Sequence, residues 1–442
     1  MISAPEQMLE ERIAAKTARV GVVGLGYVGL PLAVECARAG LTVIGVDTDA
    51  AKIAALGEGR SYNLDVGDDA IRSLVGASRL FASTGYEALQ GADVVVICVP
   101  TPLTKTKDPD LSYIVEAVTA CVPALRPAML VILESTTYPG TTVEVVKPIL
   151  ERSGLAAGVD FALAFSPERI DPGNRAYRFR DVPKVVGGLT PACTRLAARF
   201  YGQIVERVVP VASPTLAEMV KVYENVFRNV NIALVNELTL LCDRMGLDVW
   251  DVIDAASTKP YGFVAFYPGP GVGGHCIPVD PYYLLAKARE YDFHARFIEL
   301  AATVNDSMPY YVISRTHSAL ESRGKTIRGA DVLVLGVAYK RDVADARMSP
   351  ATKIIELLGK RGARVRYHDP HVPEIMLPNP GRLTSIPLTD EALTGSDCVI
   401  ITTDHSAVDY DRVLARAPLI LDTRNRLRRL EGRNRADHVL TL

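Results

Sequence analysis

The chain has 442 residues, of which 48% are hydrophobic and 23% charged, the profile of an ordinary globular protein; at about 150 residues per domain it divides into two or three. Lys plus Arg number 49 against 51 Asp plus Glu, a net charge of -2, which excludes a global field for holding nucleic acid or an anionic membrane. Seven cysteines without a CxxC pair or zinc-ligand spacing point to a reducing compartment and to no metal. The longest apolar runs, such as Val94 to Val99, are strand-sized and far short of a membrane span.

Residues 1–18 mix Glu, Arg and Lys with short apolar stretches and lack a signal-peptide core. They read as a leading helix or an extension, and a cytoplasmic location is expected. From Arg19, RVGVVGLGYVGLPLAVECARAG reads as a buried strand, a glycine turn and a helix. LTVIGVD, DVVVICVP and LVILES follow, short branched apolar runs separated by helical stretches, as a parallel α/β sheet requires. Residues 19–210 are therefore expected to form a Rossmann-like domain. Gly24 makes its tight turn, Gly26 admits a pyrophosphate to the backbone, and Gly29 allows close helix packing. Asp47 ends the second predicted strand, where a carboxylate can accept from the adenosine ribose hydroxyls and repel a 2′-phosphate. The joint pattern predicts NAD as cofactor, in preference to NADP. A bare glycine-rich turn would leave the strand, helix and acid to coincidence.

Ser213, Pro214 and Thr215 start a predicted helix that runs without a breaker to Gly246. Its apolar residues wrap most of the way round, so it serves two neighbours, both α/β domains or a second subunit. A homodimer through this helix is expected; a monomer with a buried connecting helix is the alternative. Residues 211–324 then read as a central helical domain. Its loop Phe266 to Asp280 holds four glycines between Gly269 and Gly274, a density that suits neither helix nor central strand. Cys36, Cys98, Cys121, Cys193, Cys242 and Cys398 fit the common role of a small core residue. Cys276, between His275 and Pro278 in that loop, does not. A Cys276–His275 dyad is disfavoured, because adjacent side chains diverge.

DVLVLGVAYK, ARVRYHDP, DCVIITTD and PLILDTRN repeat the α/β pattern, so residues 325–442 are expected to form a second Rossmann-like domain. It has Gly336 but no second GxGxxG. Lys340, Asp345, Arg347, Ser349 and Arg424 are placed to make a basic polar rim at the carboxyl edge of its sheet, where open α/β sheets bind ligands. A phosphate-bearing ligand suits that rim; a solvated loop with ordinary ion pairs is the bland alternative.

GVVGLGYVGLPLA, the VPTPL of 99–103, the SPER of 166–169, EMVK..EN of 218–225, GVGGHCIPVDPYYL and GVAYKRDVADARMSP together resemble the UDP-glucose/GDP-mannose dehydrogenase superfamily. Within it, ESTTYPGTT, AFSPERIDPGN, PKVVGG and STKPYGFVAFYPGPGVGGHCIP are most similar to UDP-N-acetylglucosamine 6-dehydrogenases; the N-acetylmannosamine and N-acetylgalactosamine enzymes share much of the pattern, and these and the UDP-glucose enzyme are the alternatives. The resemblance implies oxidation of the C6 primary alcohol of a UDP-sugar to the uronate by two NAD molecules. It implies that Cys276 captures the intermediate aldehyde as a thiohemiacetal, which is oxidised to a thioester and hydrolysed; a free aldehyde cannot give up hydride until a nucleophile has added. On the family's motifs, Lys221 and Asn225 hold a water and the oxygen at C6, Glu168 is the base for thioester hydrolysis, Thr136 positions the reacting oxygen or water, and Asp280 orders the network. Tyr27, Val28, Pro100, Thr101 and Thr136 join Gly24, Gly26, Gly29 and Asp47 around NAD. Arg169, Tyr267, Gly271, Gly273, Lys340 and Arg424 join Glu168, Lys221 and Asn225 around the UDP-sugar. Glucose-oxidising members carry a second glutamate where this chain has Pro172, which argues against glucose geometry. A two-domain β-hydroxyacid dehydrogenase would share the NAD half but needs neither the C-terminal sheet nor the Cys276 loop.

Overall fold

The computed structural model describes residues 4–63, 65–104, 106–171, 176–274, 276–378, 381–428 and 436–442. The chain falls into two compact units, residues 1–224 with 282–293, and residues 225–281 with 294–442.

The first unit is built on an eight-stranded sheet: β1 (Arg19–Val23), β2 (Thr42–Val46), β3 (Leu80–Ser83), β4 (Val94–Ile97), β5 (Leu130–Leu133), β6 (Ala162–Phe165), β7 (Lys184–Gly188) and β8 (Val208–Val211). The strand order is β3-β2-β1-β4-β5-β6-β7-β8. The reversal of order beside β1 is the switch point at which doubly wound sheets bind ligands. Successive residues alternate between two buried faces: Val94 and Val96 pack into one core, Val95 and Ile97 into the other. That double burial is why these strands read as continuous apolar runs. The sheet departs from the parallel expectation at one pairing, since β7 runs antiparallel to β6, with Phe165 opposite Gly187. The leading segment is a helix, Ala4–Ala14, that buries Leu9 and Ile13 in the unit's core. It is part of the unit rather than a loose extension. Arg12 reaches the buried Asp93 carboxylate at 2.7 Å.

The second unit carries a parallel sheet of β9 (Asp331–Leu335), β10 (Arg364–His368), β13 (Cys398–Ile401), β14 (Ile420–Asp422) and β15 (Val439–Thr441), in the order β10-β9-β13-β14-β15. The short hairpin β11 (Glu374–Met376) and β12 (Arg382–Thr384) lies between β10 and β13 in sequence. Val332 and Val334 face one core, Leu333 and Leu335 the other.

The helix Pro214–Met245 has 32 residues, about 48 Å at 1.5 Å per residue. Ser213 caps it, its Oγ accepting from the Leu216 amide at 3.2 Å. Its residues up to Glu224 belong to the first unit and those from Asn225 to the second. The sequence reading did not single out a second long helix, Arg296–Glu321, which carries Pro309 inside it. No helix among the described residues is long and apolar enough to cross a membrane.

Candidate active site

In the first unit the turn after β1 is shaped for a dinucleotide. Gly24 sits at φ +87°, and a Cβ there would lie 2.6 Å from the Cys98 carbonyl oxygen. A Cβ on Gly29 would meet the Gly24 carbonyl oxygen at 1.8 Å, so only glycine lets the helix Gly29–Arg38 start this close to the turn. Gly26 is the opposite case. A Cβ there would meet nothing within 4 Å, which leaves its backbone open to a pyrophosphate at a helix N-terminus. Asp47, just past β2, accepts from the Leu25 amide at 2.8 Å and the Asp49 amide at 3.0 Å, with Lys52 Nζ also at 3.0 Å. Tyr62 donates to the Leu25 carbonyl at 2.7 Å. The turn, the open Gly26 backbone and the Asp47 carboxylate fit NAD. Lys52 and Tyr62 were missed by the sequence reading, although Lys52 lies only five residues beyond Asp47. Tyr27, Val28 and Thr136 are half-buried, as is Thr101, while Pro100 is exposed. The Thr101 carbonyl is held by the Tyr283 hydroxyl.

The second unit repeats this turn with a different outcome. Gly336, after β9, sits at φ +81° with its missing Cβ 2.2 Å from the Thr403 carbonyl oxygen. Asp369, just past β10, stands where Asp47 stands in the first unit. Its Oδ2 accepts from Val337 N at 2.7 Å, Ala338 N at 2.9 Å and His405 Nε2 at 3.0 Å; its Oδ1 accepts from His371 N and Val372 N at 2.8 and 3.0 Å. Burial would raise this acid, yet the His405 bond and the ring of amides hold it down at about 2. With five donors already in place, Asp369 has no capacity for a ribose hydroxyl.

Around Glu168 the first unit holds a buried charged cluster that the sequence reading did not assemble. Lys184 Nζ binds Glu134 Oε1 and lies 3.4 Å from Glu168 Oε2. The Tyr201 hydroxyl donates to the other Glu134 oxygen, and the Ile170 amide donates to Glu168 Oε1. Burial pushes Glu134 up to about 7 against the pull of Lys184. Glu168 is lowered instead, because Lys184, a hydrogen bond with Glu134, the Ile170 amide and Lys221 together outweigh its burial. A lysine opening the apolar run PKVVGG was the available signal. Lys221 is buried as well. Arg169 is engaged bidentately with Glu224, at 3.2 and 2.6 Å, and donates to the Pro183 carbonyl at 2.7 Å. Glu218, of the EMVK motif, is fully buried and accepts from Gly140 N, Thr142 N and Thr142 Oγ1 at 2.6, 2.8 and 2.6 Å. It fixes the turn that follows Thr136.

In the second unit Cys276 is half-buried, and the other six cysteines are buried. Its loop is pinned by asparagines. Asn225 donates to Asp280, Asn229 to the Ile277 carbonyl at 3.2 Å, and Asn236 Oδ1 accepts from Gly269 N at 3.1 Å. Asn305 closes the ladder, accepting from Asn236 at 2.9 Å and donating to the Asn229 carbonyl at 3.1 Å. Of these only Asn225 was expected. Asp280 begins the helix Asp280–Glu290, and its amide donates to the Cys276 carbonyl at 2.8 Å. Gly271 sits at φ +130°, and a Cβ on Gly273 would lie 2.9 Å from Tyr339 Cβ, so both glycines serve close packing. Tyr267 stacks on Trp250 at 5.5 Å and donates to Asp254 at 3.0 Å. His275 and Pro172 lie outside the described residues.

Arg424 Nε donates to the Thr402 carbonyl at 2.8 Å, and its Nη1 would be 2.7 Å from a Cβ on Gly269. Burial lowers its pKa against the carboxylates of Asp404 and Asp422. Lys340 is half-buried. Of the rest of the expected rim, Arg347 forks onto Asp345 at 2.7–3.0 Å, and Ser349 caps the helix Pro350–Lys360. Among the described residues one group, Asp342, His371 and His405, brings metal-type ligand atoms within 4.8 Å of one another. Both His405 nitrogens are already engaged, Nδ1 by the Asp342 amide and Nε2 by Asp369, so the group does not offer a three-ligand set.

Three domain models of one family match in order: the UDP-glucose/GDP-mannose dehydrogenase NAD binding domain over residues 18–205, the central domain over 215–307 and the UDP binding domain over 333–429. A UDP-N-acetyl-D-mannosamine dehydrogenase from Pyrococcus horikoshii is 36% identical over 413 residues, 92% of this chain and 95% of that protein. A UDP-N-acetyl-D-glucosamine 6-dehydrogenase from Pseudomonas aeruginosa is 40% identical over 359 residues, 81% of this chain and 84% of that one. The solved structure of UDP-D-ManNAc dehydrogenase from Pyrococcus horikoshii superimposes with a TM-score of 0.87 at 34% identity, covering 96% of this chain and 98% of that chain. The chain belongs to the UDP-glucose/GDP-mannose dehydrogenase family and is an NAD-dependent nucleotide-sugar dehydrogenase.

Proposed function

We propose that this chain oxidises C6 of a UDP-N-acetylhexosamine to the uronate, with the N-acetyl-D-mannosamine nucleotide as first candidate and its N-acetyl-D-glucosamine epimer, expected from the sequence motifs, as the rival. The manno reading is supported by a relative of that name matching along 92% of the chain, against 81% for the gluco relative. The observation that carries the chemistry is Cys276, half-buried where six other cysteines are buried, on a loop held by Asn225, Asn229 and Asn236.

In this reading residues 19–210 hold the dinucleotide, 211–324 the reacting groups and 325–442 the UDP moiety, through Lys340 and Arg424. NAD, held at the Gly24–Gly29 turn and Asp47, supplies the hydride acceptor for both oxidations. Lys221 steadies alkoxide character at C6, where one such contact is worth about 2.7–4 kcal/mol. The Cys276 sulfur adds to the aldehyde carbon and makes it tetrahedral, so that oxidation leaves a thioester. Glu168 then takes a proton from the attacking water. Asn225, Asp280 and Thr136 position the oxygen or water. The helix Pro214–Met245 leaves Leu234, Leu238, Leu241 and Met245 exposed along one stripe. A second copy of the chain is the occupant we infer for that stripe, and light scattering of Leu238→Glu against the parent tests it; a monomeric parent would refute the dimer, and a variant as dimeric as the parent would refute the stripe as its interface.

The test of the activity is stoichiometric. The parent should yield two NADH per sugar with one UDP-N-acetylhexosamine epimer preferred over UDP-glucose, and Cys276→Ser should lose uronate formation while UDP still binds. Full turnover of clean Cys276→Ala at the parent rate would overturn the covalent route.

A further inference from the structure

Glu134, Glu168 and Lys184 are each less than a tenth exposed, and two carboxylates share one ammonium. Two carboxylates this close and this buried disfavour double ionisation, so one proton on the pair is favoured even with Lys221 facing Glu168. The geometry decides which carboxylate keeps it. Glu134 is buried to 1% and receives the Tyr201 hydroxyl and Lys184, whereas Glu168 has the Ile170 amide on one oxygen and Lys184 beside the other. Burial favours the neutral form of Glu134, up to about 7, while Glu168 is displaced toward the ionised form.

The antiparallel strand explains how a lysine reaches this place. Glu134 follows β5 and Glu168 follows β6, both at the carboxyl edge of the sheet. In a wholly parallel sheet the first residue of the next strand would sit at the opposite edge. Because β7 is reversed, the pairing of Phe165 with Gly187 and the Ser166 hydroxyl on the Val185 carbonyl at 2.8 Å carry the strand's first residue, Lys184, back to Glu168.

We propose that Lys184 and Glu134 are positioning residues for Glu168, the ammonium supplying its counter-charge and the Glu134 carboxyl a shared proton, so that Glu168 stays ionised in a buried site. The assignment rests on Glu168 acting as the base of thioester hydrolysis. In that step the water oxygen bonds to the thioester carbon, its proton passes to Glu168, the C–S bond breaks and Cys276 leaves as thiolate. The acid product releases its own proton to solvent. The charged and titratable groups facing the cluster are Lys221 from the helix Pro214–Met245, Tyr201 from the helix Pro191–Tyr201, Cys98 just past β4 and Cys36 from the helix Gly29–Arg38.

The experiment is the pH profile of kcat for the full chain with NAD and a UDP-N-acetylhexosamine. Lys184→Met should move the acid limb up by about 1–3 pH units, the size of a lost opposite charge, and Lys184→Arg should restore most of it. Glu134→Gln, which keeps a donor for Glu168, should leave the limb in place, whereas Glu134→Leu should raise it. A folded Lys184→Met enzyme with an unmoved limb overturns the proposal, and if that variant does not fold, equal limbs in Glu134→Gln and Glu134→Leu overturn it. Glu168→Gln separates the underlying reading. It should release one burst of two NADH and stall as an acyl adduct on Cys276; normal turnover there removes Glu168 as base. Stalling there with unmoved limbs elsewhere removes only the roles of Lys184 and Glu134.

Discussion

Replacing Asp369 by Asn tests whether the second unit depends on a saturated carboxylate. The side chain keeps its shape, but one of its two oxygens becomes an NH2 group. With the remaining oxygen turned to Val337 N, Ala338 N and His405 Nε2, the new amide faces the His371 and Val372 amides, donor against donor. The buried Val372 amide left without an acceptor costs about 1–3 kcal/mol and the part-buried His371 amide adds a smaller share, so the loss is at least about 1–3 kcal/mol. A second, independent signature follows from the acid's titration. The fall from an ordinary value of 3.8 to about 2 corresponds to about 2 kcal/mol of folding free energy. Because the folded value is the depressed one, that stability is present above 3.8 and is lost as pH falls toward about 2. The gap between parent and variant should therefore be widest at neutral pH and narrow on acidification. Trp250, the single tryptophan, belongs to the second unit, so its fluorescence in urea titrations follows that unit. A loss below about 1 kcal/mol at neutral pH, less than one orphaned amide, would refute the reasoning.

Three further outcomes are expected. Gly29→Ala should abolish NAD binding and lower the melting temperature of the first unit, since its Cβ would stand 1.8 Å from a carbonyl oxygen; calorimetric titration with NAD measures it. Asp47→Ala should weaken NAD and narrow its preference over NADP, because the carboxylate proposed to meet the ribose is removed while Lys52 remains; fluorescence titration with both dinucleotides reads the ratio. Arg424→Ala should weaken UDP binding with NAD binding unchanged, and equal UDP affinity in an intact variant would remove Arg424 from the substrate contacts.

What was legible in the sequence is what the chain encodes locally. Gly24, Gly26, Gly29 and Asp47 belong to one strand–turn–helix–strand run, and each residue's conformation or charge states its purpose. Cys276 stood out for the same reason, because the glycines beside it are incompatible with regular structure. The charged cluster was hidden because Glu134, Glu168 and Lys184 sit on three different strand ends, and no local pattern distinguishes a buried lysine from one on the surface. The asparagine ladder was hidden too. Asn229 and Asn236 read as polar positions on a helix until Ile277, Gly269 and Asn305 are seen against them. Arg347 and Ser349 show the converse, since charge and a hydroxyl near a sheet edge look like ligand contacts, and their local partners, Asp345 for one and a helix N-terminus for the other, appear only in the structure.

The two halves of the chain show how one backbone solution takes two chemical roles. Each places a glycine at positive φ after its first strand, Gly24 and Gly336, and an aspartate just after the neighbouring strand, Asp47 and Asp369. The difference lies in the donors that surround the acid. Asp47 spends two contacts on backbone amides and one on a flexible, partly exposed lysine, a partner that a ribose hydroxyl can displace or share. Asp369 is enclosed by four amides and a buried imidazole, none of which can be displaced without leaving a buried donor unsatisfied. The first acid is thereby free to recognise a ligand, and the second is committed to holding its own turn. In the proposed reading, ligand recognition in the second unit falls to side chains other than Asp369, with Lys340 and Arg424 as the candidates that the Arg424→Ala titration tests.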